Sequence, residues 1–279
     1  MSLRDDNNDF VNEFENVHLE SPPPYPPTKR LFDPVIVFSG FEQKEKESLC
    51  EQVFEILNGR VYDDRYLTND VTHLIINELR ASEKLLSAMA LGIWIMKPEY
   101  VKDSIKAGRW LPELQYQWGK EDDNQVLPIK ELNRTLEQQL ISSSISWRQN
   151  RERTGLLAFH DWNILILNNS KLIQIVTKIF QLGGGRLYYM DDYIGSRELD
   201  LKVIMEKVRY AIIDLGYKKE PAHGKKRFLE LVKWLTLREK VIRYEFLSNY
   251  IISGKNEEED ALNKNILSYT TIVETFNNI

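Results

Sequence analysis

Up to residue 34 the chain shows no regular alternation of apolar and polar positions, and from Val35 onward it does. Residues 35–38 (VIVF) are a continuous apolar run, the pattern of a strand buried on both faces. Ser39-Gly40 interrupts it, and residues 43–57 then carry Leu49, Val53, Phe54 and Leu57 at helical spacing, with Asn58-Gly59 as the stop. Residues 60–62 and 72–76 (THLII) predict two further strands, and 83–91 a helix whose Ser87, Ala88 and Ala90 permit close packing. Residues 93–96 predict a fourth strand, and Pro98 opens a helix that ends near Gly108. Strands alternating with helices in this order predict a small α/β unit with a mainly parallel sheet.

A long connection follows, in which Ile129, Leu132, Leu136 and Leu140 keep helical spacing and Ser142 to Ser144 suggest a break. The opening order then returns. Strands are expected at 163–167, 186–189, 210–214 and from Val241, and helices at 171–180, 227–237 and 245–252, with Gly183 to Gly185 as a turn. This internal repetition is the most informative feature of the pattern. It divides the chain into an acidic, proline-rich tail (1–32), a first repeat (33–112), a linker with a helix (113–159), a second repeat (160–254) and a tail without an assigned role (255–279).

Charge and composition narrow the function classes. The net charge is −5; residues 1–34 hold three basic and seven acidic residues, a balance of −4, so the rest is near −1. That argues against sequence-independent nucleic-acid binding, which draws on a basic excess. No apolar run approaches the roughly 20 residues of a membrane span, and the acidic start lacks a signal-peptide pattern. Cys50 is the single cysteine, so no intramolecular disulfide forms. The stretch SPPPYPPTK, from Ser21 to Lys29, is extended linker, either a stiff tether or a ligand for a proline-binding domain. His18, His73, His160 and His223 have no metal-ligand spacing, and the glycine triplet follows a helix instead of joining a strand to one. Neither an enzyme, a cofactor nor a metal is expected.

With Ser39-Gly40 after the first strand, THLI in the third and the block GIWIMKPEYV, the duplicated unit resembles a tandem of BRCT repeats over residues 33–112 and 160–254, the second diverging between Tyr193 and Lys226. The resemblance implies two four-stranded, mainly parallel sheets flanked by helices. It also implies a phosphate site made of the Ser39 hydroxyl, the Gly40 N–H and Lys84, which stands ten residues before Trp94. A phosphate with its three acceptor oxygens suits a hydroxyl, an N–H and an ammonium. The plainer reading makes Ser39 a cap for the following helix and Lys84 a solvated charge. Tyr100 stands where the family usually has Trp, with Ser104 as its small partner; Phe246 and Tyr250 take those places in the second repeat. Ala81 stands where the family often has a peptide-contacting Arg, with Arg80 beside it; Leu86 is expected in the groove between repeats, and Tyr244 and Ser248 stand where the residue three after the phosphate is gripped.

Three longer stretches carry a narrower resemblance: SEKLLSAMALGIWI, GRWLPELQYQWG and WRQNRERTGLLAFHDW are similar to the N-terminal tandem of the SMC complex localization factor family. That implies a nuclear adaptor of the DNA damage response which binds a phosphorylated ubiquitin ligase of post-replication repair and brings a SMC complex, its subunits or loaders to damaged DNA. The ankyrin repeats of the animal proteins are missing, so a fragment or a reduced relative is expected. Two alternatives stand beside this one. One is a scaffold indifferent to phosphate. The other, disfavoured by the charge, is binding of DNA ends through a 5′-phosphate, aided by Arg148, Arg151 and Arg153 or by Lys218, Lys219, Lys225, Lys226 and Arg227.

Overall fold

The computed structural model describes residues 33–63, 66–119, 135–190, 206–217, 225–254 and 258–277. The proline-rich stretch, Ile129, Leu132, Lys218, Lys219 and the side chains of Lys225 and Arg227 lie outside that description. Strands β1 (Val35–Ser39), β2 (Arg60–Tyr62), β3 (His73–Ile76) and β4 (Trp94–Met96) form a parallel sheet in the order β2-β1-β3-β4. Parallel neighbours need crossovers, and the helices α1 (Gln43–Leu57) and α2 (Glu83–Leu91) supply them, while α3 (Glu99–Ala107) follows β4 and packs beside α1. The two faces of β1 are used separately, as the pleat dictates. Ile36 and Phe38 pack with Leu49 and Val53 of α1 and Tyr100 and Val101 of α3. Val37 belongs to the cluster on the α2 side.

The second sheet repeats the plan. Strands β5 (Asn163–Ile166), β6 (Arg186–Tyr189), β7 (Tyr210–Ile213) and β8 (Val241–Arg243) are parallel in the order β6-β5-β7-β8. Helix α5 (Lys171–Leu182) follows β5, α6 (Lys225–Thr236) precedes β8 and α7 (Glu245–Ser253) follows it. Leu165, Ala211 and Ile213 pack with Phe228, Val232 and Leu235 of α6, while Ile164, Ile166 and Ile212 face the first repeat's α2 cluster.

Between the repeats runs α4 (Leu136–Thr154), a helix closed at its start by a capping box of Thr135 and Gln138. It passes straight through Ser142 to Ser144, which corrects the expected break. The Ser142 and Ser144 hydroxyls donate to the carbonyls of Gln139 and Ile141 inside the helix, and Ser143 donates to Ile252 O across to α7 at 2.6 Å. Small hydroxylic residues here permit contact with a neighbour instead of ending the helix.

Helix α4 also completes its neighbours' ends, whose last carbonyls have no intrahelical partner. Trp147 Nε1–H donates to Ile251 O of α7 (2.9 Å), and Arg151 donates to Leu91 O at the end of α2 (2.7 Å). Arg148, 5% exposed, lies with its guanidinium 3.8 Å from the centre of the Trp94 ring.

The last residues, to which the pattern assigned no role, hold α8 (Glu258–Asn263) and α9 (Tyr269–Asn277). Ala261, Leu267 and Ile272 are buried, and Ile266 bridges antiparallel to Ile242. Gln117 bridges Met96 in the same way in the first repeat. In each sheet a returning segment thus covers the open edge of the last strand.

Gly92 ends α2 at φ +62°, and a Cβ there would lie 2.8 Å from Trp147 O and 2.9 Å from Arg151 Cβ. Backbone strain and steric conflict with α4 add up. Gly92→Ala should therefore lose about 2 kcal/mol or more in urea unfolding; an unchanged midpoint would show that α4 does not approach α2 this closely.

Candidate functional site

In a parallel sheet every strand ends at one edge, and the helices that follow start there with unpaired N–H groups. In the first repeat that edge brings together the end of β1, the end of β3 and the first turns of α1 and α2. Ser39 lies opposite Ile76 in the β1–β3 register and is half-buried. Gly40 is exposed at φ +80°, a conformation that favours glycine, although a Cβ there would meet nothing closer than Asn77 Cβ at 4.0 Å. The turn is held on both sides. Asn77 Nδ2 donates to Gly40 O at 2.9 Å, and Phe41 stands edge-on to Phe38 with ring centres 5.2 Å apart.

Ser39 does not cap α1. The N-cap position is Glu42, and no side chain caps the helix. By contrast, α2 is capped by Ser82, whose hydroxyl accepts from Leu85 N–H at 3.3 Å. Lys84 sits in that first turn, half-buried, and lines a cleft of about 390 Å³ between the repeats. Ser87 of α2, Lys178, Gln181 and Leu182 of α5 and Tyr66 of the β2–β3 loop also line it. Lys178 Nζ lies 3.5 Å from the Tyr66 ring centre, a cation–π contact across the two repeats.

The other expected groove residues divide. Arg80 and Ala81 are exposed on the loop entering α2. Leu86, 6% exposed, is part of the inter-repeat core and does not line the cleft. Tyr244 precedes α7, its N–H donating to Ile213 O at 3.2 Å, and Ser248 is on α7; both are half-buried and neither lines the cleft. Asn77, Tyr66 and Lys178 were not singled out from the sequence. Only the asparagine at the end of a strand could have signalled itself, as a residue suited to turns.

The second repeat has a different edge. Ile36 pairs with His73 and Ile164 with Tyr210, which sets Leu167 in the place of Ser39, Asn168 in that of Gly40 and Asp214 in that of Asn77. The Asn168 side chain is engaged at both ends, accepting from Asp214 N–H (3.0 Å) and donating to Asp214 O (2.8 Å). The Asp214 carboxylate, 7% exposed, accepts from Gly216 N–H at 2.8 Å. A hydroxyl, a glycine and a lysine at the first edge suit an oxyanion. An apolar side chain, a locked amide and a buried carboxylate at the second oppose one.

Among the described residues no group of three or more His, Cys, Asp or Glu could hold a metal ion. Cys50 is half-buried on α1, and burial pushes its thiol pKa up, away from the nucleophilic thiolate. His73 is stacked between Trp94 and Tyr100, its Nδ1 2.8 Å from Thr72 Oγ1.

Comparison with known proteins agrees with this architecture. Residues 27–105 match the family of the BRCA1 C Terminus (BRCT) domain. SMC5-SMC6 complex localization factor protein 1 of Homo sapiens is 35% identical over 136 residues, 48% of this chain and 12% of that protein. A BRCT domain-containing protein of Arabidopsis thaliana is 24% identical over 240 residues, 84% of this chain and 16% of that protein. The chain thus spans a small part of the relatives it matches. Among solved structures, the BRCT5-BRCT6 domains of S. pombe Brc1 superpose with a TM-score of 0.50 at 15% identity, over 80% of this chain and 93% of that one.

If the Asn77 amide holds the β1–α1 turn, Asn77→Ala should leave the fold intact. Amide hydrogen exchange at Gly40 and Phe41 should rise about tenfold, the loss of one hydrogen bond of roughly 1.4 kcal/mol. Unchanged exchange would mean that the turn holds itself.

Proposed function

We propose that the chain is a tandem BRCT-repeat protein, a non-catalytic adaptor which binds a phosphoserine or phosphothreonine on a partner protein in the DNA damage response. The observation that carries this reading is the contrast between the two strand-end edges. One offers the Ser39 hydroxyl, a glycine turn held by Asn77, and Lys84 in the first turn of α2. The other presents Leu167 and a buried Asp214. A dianionic phosphate gains charge-assisted hydrogen bonds at the first and would meet a carboxylate at the second.

In this reading Ser39, Gly40 and Lys84 hold the phosphate, and the cleft that begins at Lys84 receives flanking residues. Residues 33–112 and 160–254 are the repeats, 113–159 the connection, and 255–279 an addition to the second repeat. Similarity to a protein named as an SMC5-SMC6 complex localization factor supports a SMC complex as the assembly served, and with it a nuclear site of action. The partner that bears the phosphate is then a ubiquitin ligase of post-replication repair, which rests on the family resemblance. DNA ends are a weaker ligand here, because two of the arginines that would serve them are used inside the fold. Arg148 is buried over Trp94, and Arg151 is bonded to Leu91 O.

Calorimetric titration with phosphorylated and unphosphorylated peptides of that ligase tests the proposal. The phosphorylated form should bind, the unphosphorylated form at least about tenfold more weakly, and Lys84→Ala should remove most of the difference by deleting one charge-assisted contact. Equal binding of both forms would leave the phosphate-indifferent scaffold.

A further inference from the structure

On the basis of the phosphopeptide reading, we propose that the outward face of α5 is a second contact surface for the same partner chain. It takes an apolar side chain that lies about three residues beyond the one seated in the cleft. Lys171, Ile175, Lys178 and Leu182 are spaced i, i+4, i+7 and i+11, so they share one face of the helix. Lys178 and Leu182 line the cleft. Further along, Ile175 and the flanking Leu172 are 38% and 47% exposed, although the inward face of α5 is already apolar with Ile173, Val176 and Phe180 buried.

A single exposed aliphatic residue needs no explanation. These two differ because they continue a cleft. The midpoint of Leu172 and Ile175 lies six to seven residues along α5 from that of Lys178 and Leu182, about 10 Å at the rise of an α-helix. An extended chain covers about 3.3 Å per residue, so three residues bridge that length. Charge selects the occupant. Lys84 and Lys178 outnumber Glu83 in the cleft, and with the exposed Lys171 at the far end the net positive charge favours a chain bearing negative charge, as a phosphorylated segment does. The surface therefore fits an extended, acidic segment of the phosphoprotein with an aliphatic or aromatic side chain set into it, in preference to a second copy of this chain.

An oriented library of phosphoserine peptides, degenerate for nine positions on each side of the phosphate, and its unphosphorylated counterpart test this on the full chain and on a Leu172→Glu/Ile175→Glu double variant. Both positions are exposed, so the variant should keep its circular dichroism spectrum and unfolding midpoint. The unaltered protein should enrich aliphatic or aromatic residues about fivefold at a position some three residues further from the phosphate than the cleft position. The variant should lose that enrichment while still preferring phosphorylated peptides. No such enrichment, or one that persists in the variant, would overturn the proposal. Self-association of the unaltered protein that the variant abolishes would also overturn it, since a second copy would then own the surface. If neither protein prefers phosphorylated peptides, the phosphopeptide reading itself falls, and this surface with it.

Discussion

From Leu85 onward, helix α2 meets almost no water. Every residue from Leu85 to Leu91 is buried, so its apolar surface is not a stripe but the whole circumference. One face is satisfied by its own sheet through Val37 and Leu74. The remainder needs a second body, and α4, α5 and α7 supply it. Ser87, Ala88 and Ala90 permit close approach, and a Cβ on Gly183 would already lie 3.3 Å from Ala90 Cβ. The tandem arrangement thus follows from the composition of one nine-residue helix. The linker helix then closes the joint by bonding the terminal carbonyls of α2 and α7 through Arg151, Trp147 and Ser143.

The same helix carries the candidate site. Lys84 is in the first turn of α2, immediately before the buried stretch, so its backbone is anchored by the packing that joins the repeats. The β1 turn reaches the same edge through the strand register and is held by Asn77 and Phe41. A rigid platform for a phosphate costs little ordering on binding, because the chain is already fixed by the fold. The duplicated unit has meanwhile diverged at the equivalent edge of the second repeat, where the Asn168–Asp214 bridge occupies the same ground. The candidate ligand edge thus lies in one repeat, and the other packs against the helix that carries it.

Much of this was legible in the sequence. Parallel strands are buried on both faces, so VIVF, HLII, NILI and YAII stand out as apolar runs. The helices over 43–57 and 83–91 are bounded by the Asn58 stop and by the Ser82 cap and Gly92, all local signals. Ser142 to Ser144 misled because the acceptor that makes Ser143 useful, Ile252 O, is 109 residues away. The two C-terminal helices escaped notice since α8 has only six residues and its cover of β8 is a tertiary contact. Leu86 was expected in the groove, but in a helix buried all round the spacing cannot tell a groove position from a core one. At the candidate site, Ser39, Gly40 and Lys84 were proposed through their spacing and the family resemblance. The Asn77 bond and the Tyr66–Lys178 contact join residues far apart in the chain and were not.

The central claim is that the first repeat's strand-end edge, and not the second's, receives a phosphate. It is tested most directly by following backbone amide resonances of the isotopically labelled protein during titration with a phosphoserine peptide and with its unphosphorylated counterpart. The account predicts phosphate-dependent shifts at Ser39, Gly40 and Lys84, and none at Leu167, Asn168 or Asp214. Shifts centred on Asn168 and Asp214, or identical shifts with both peptides, would contradict it.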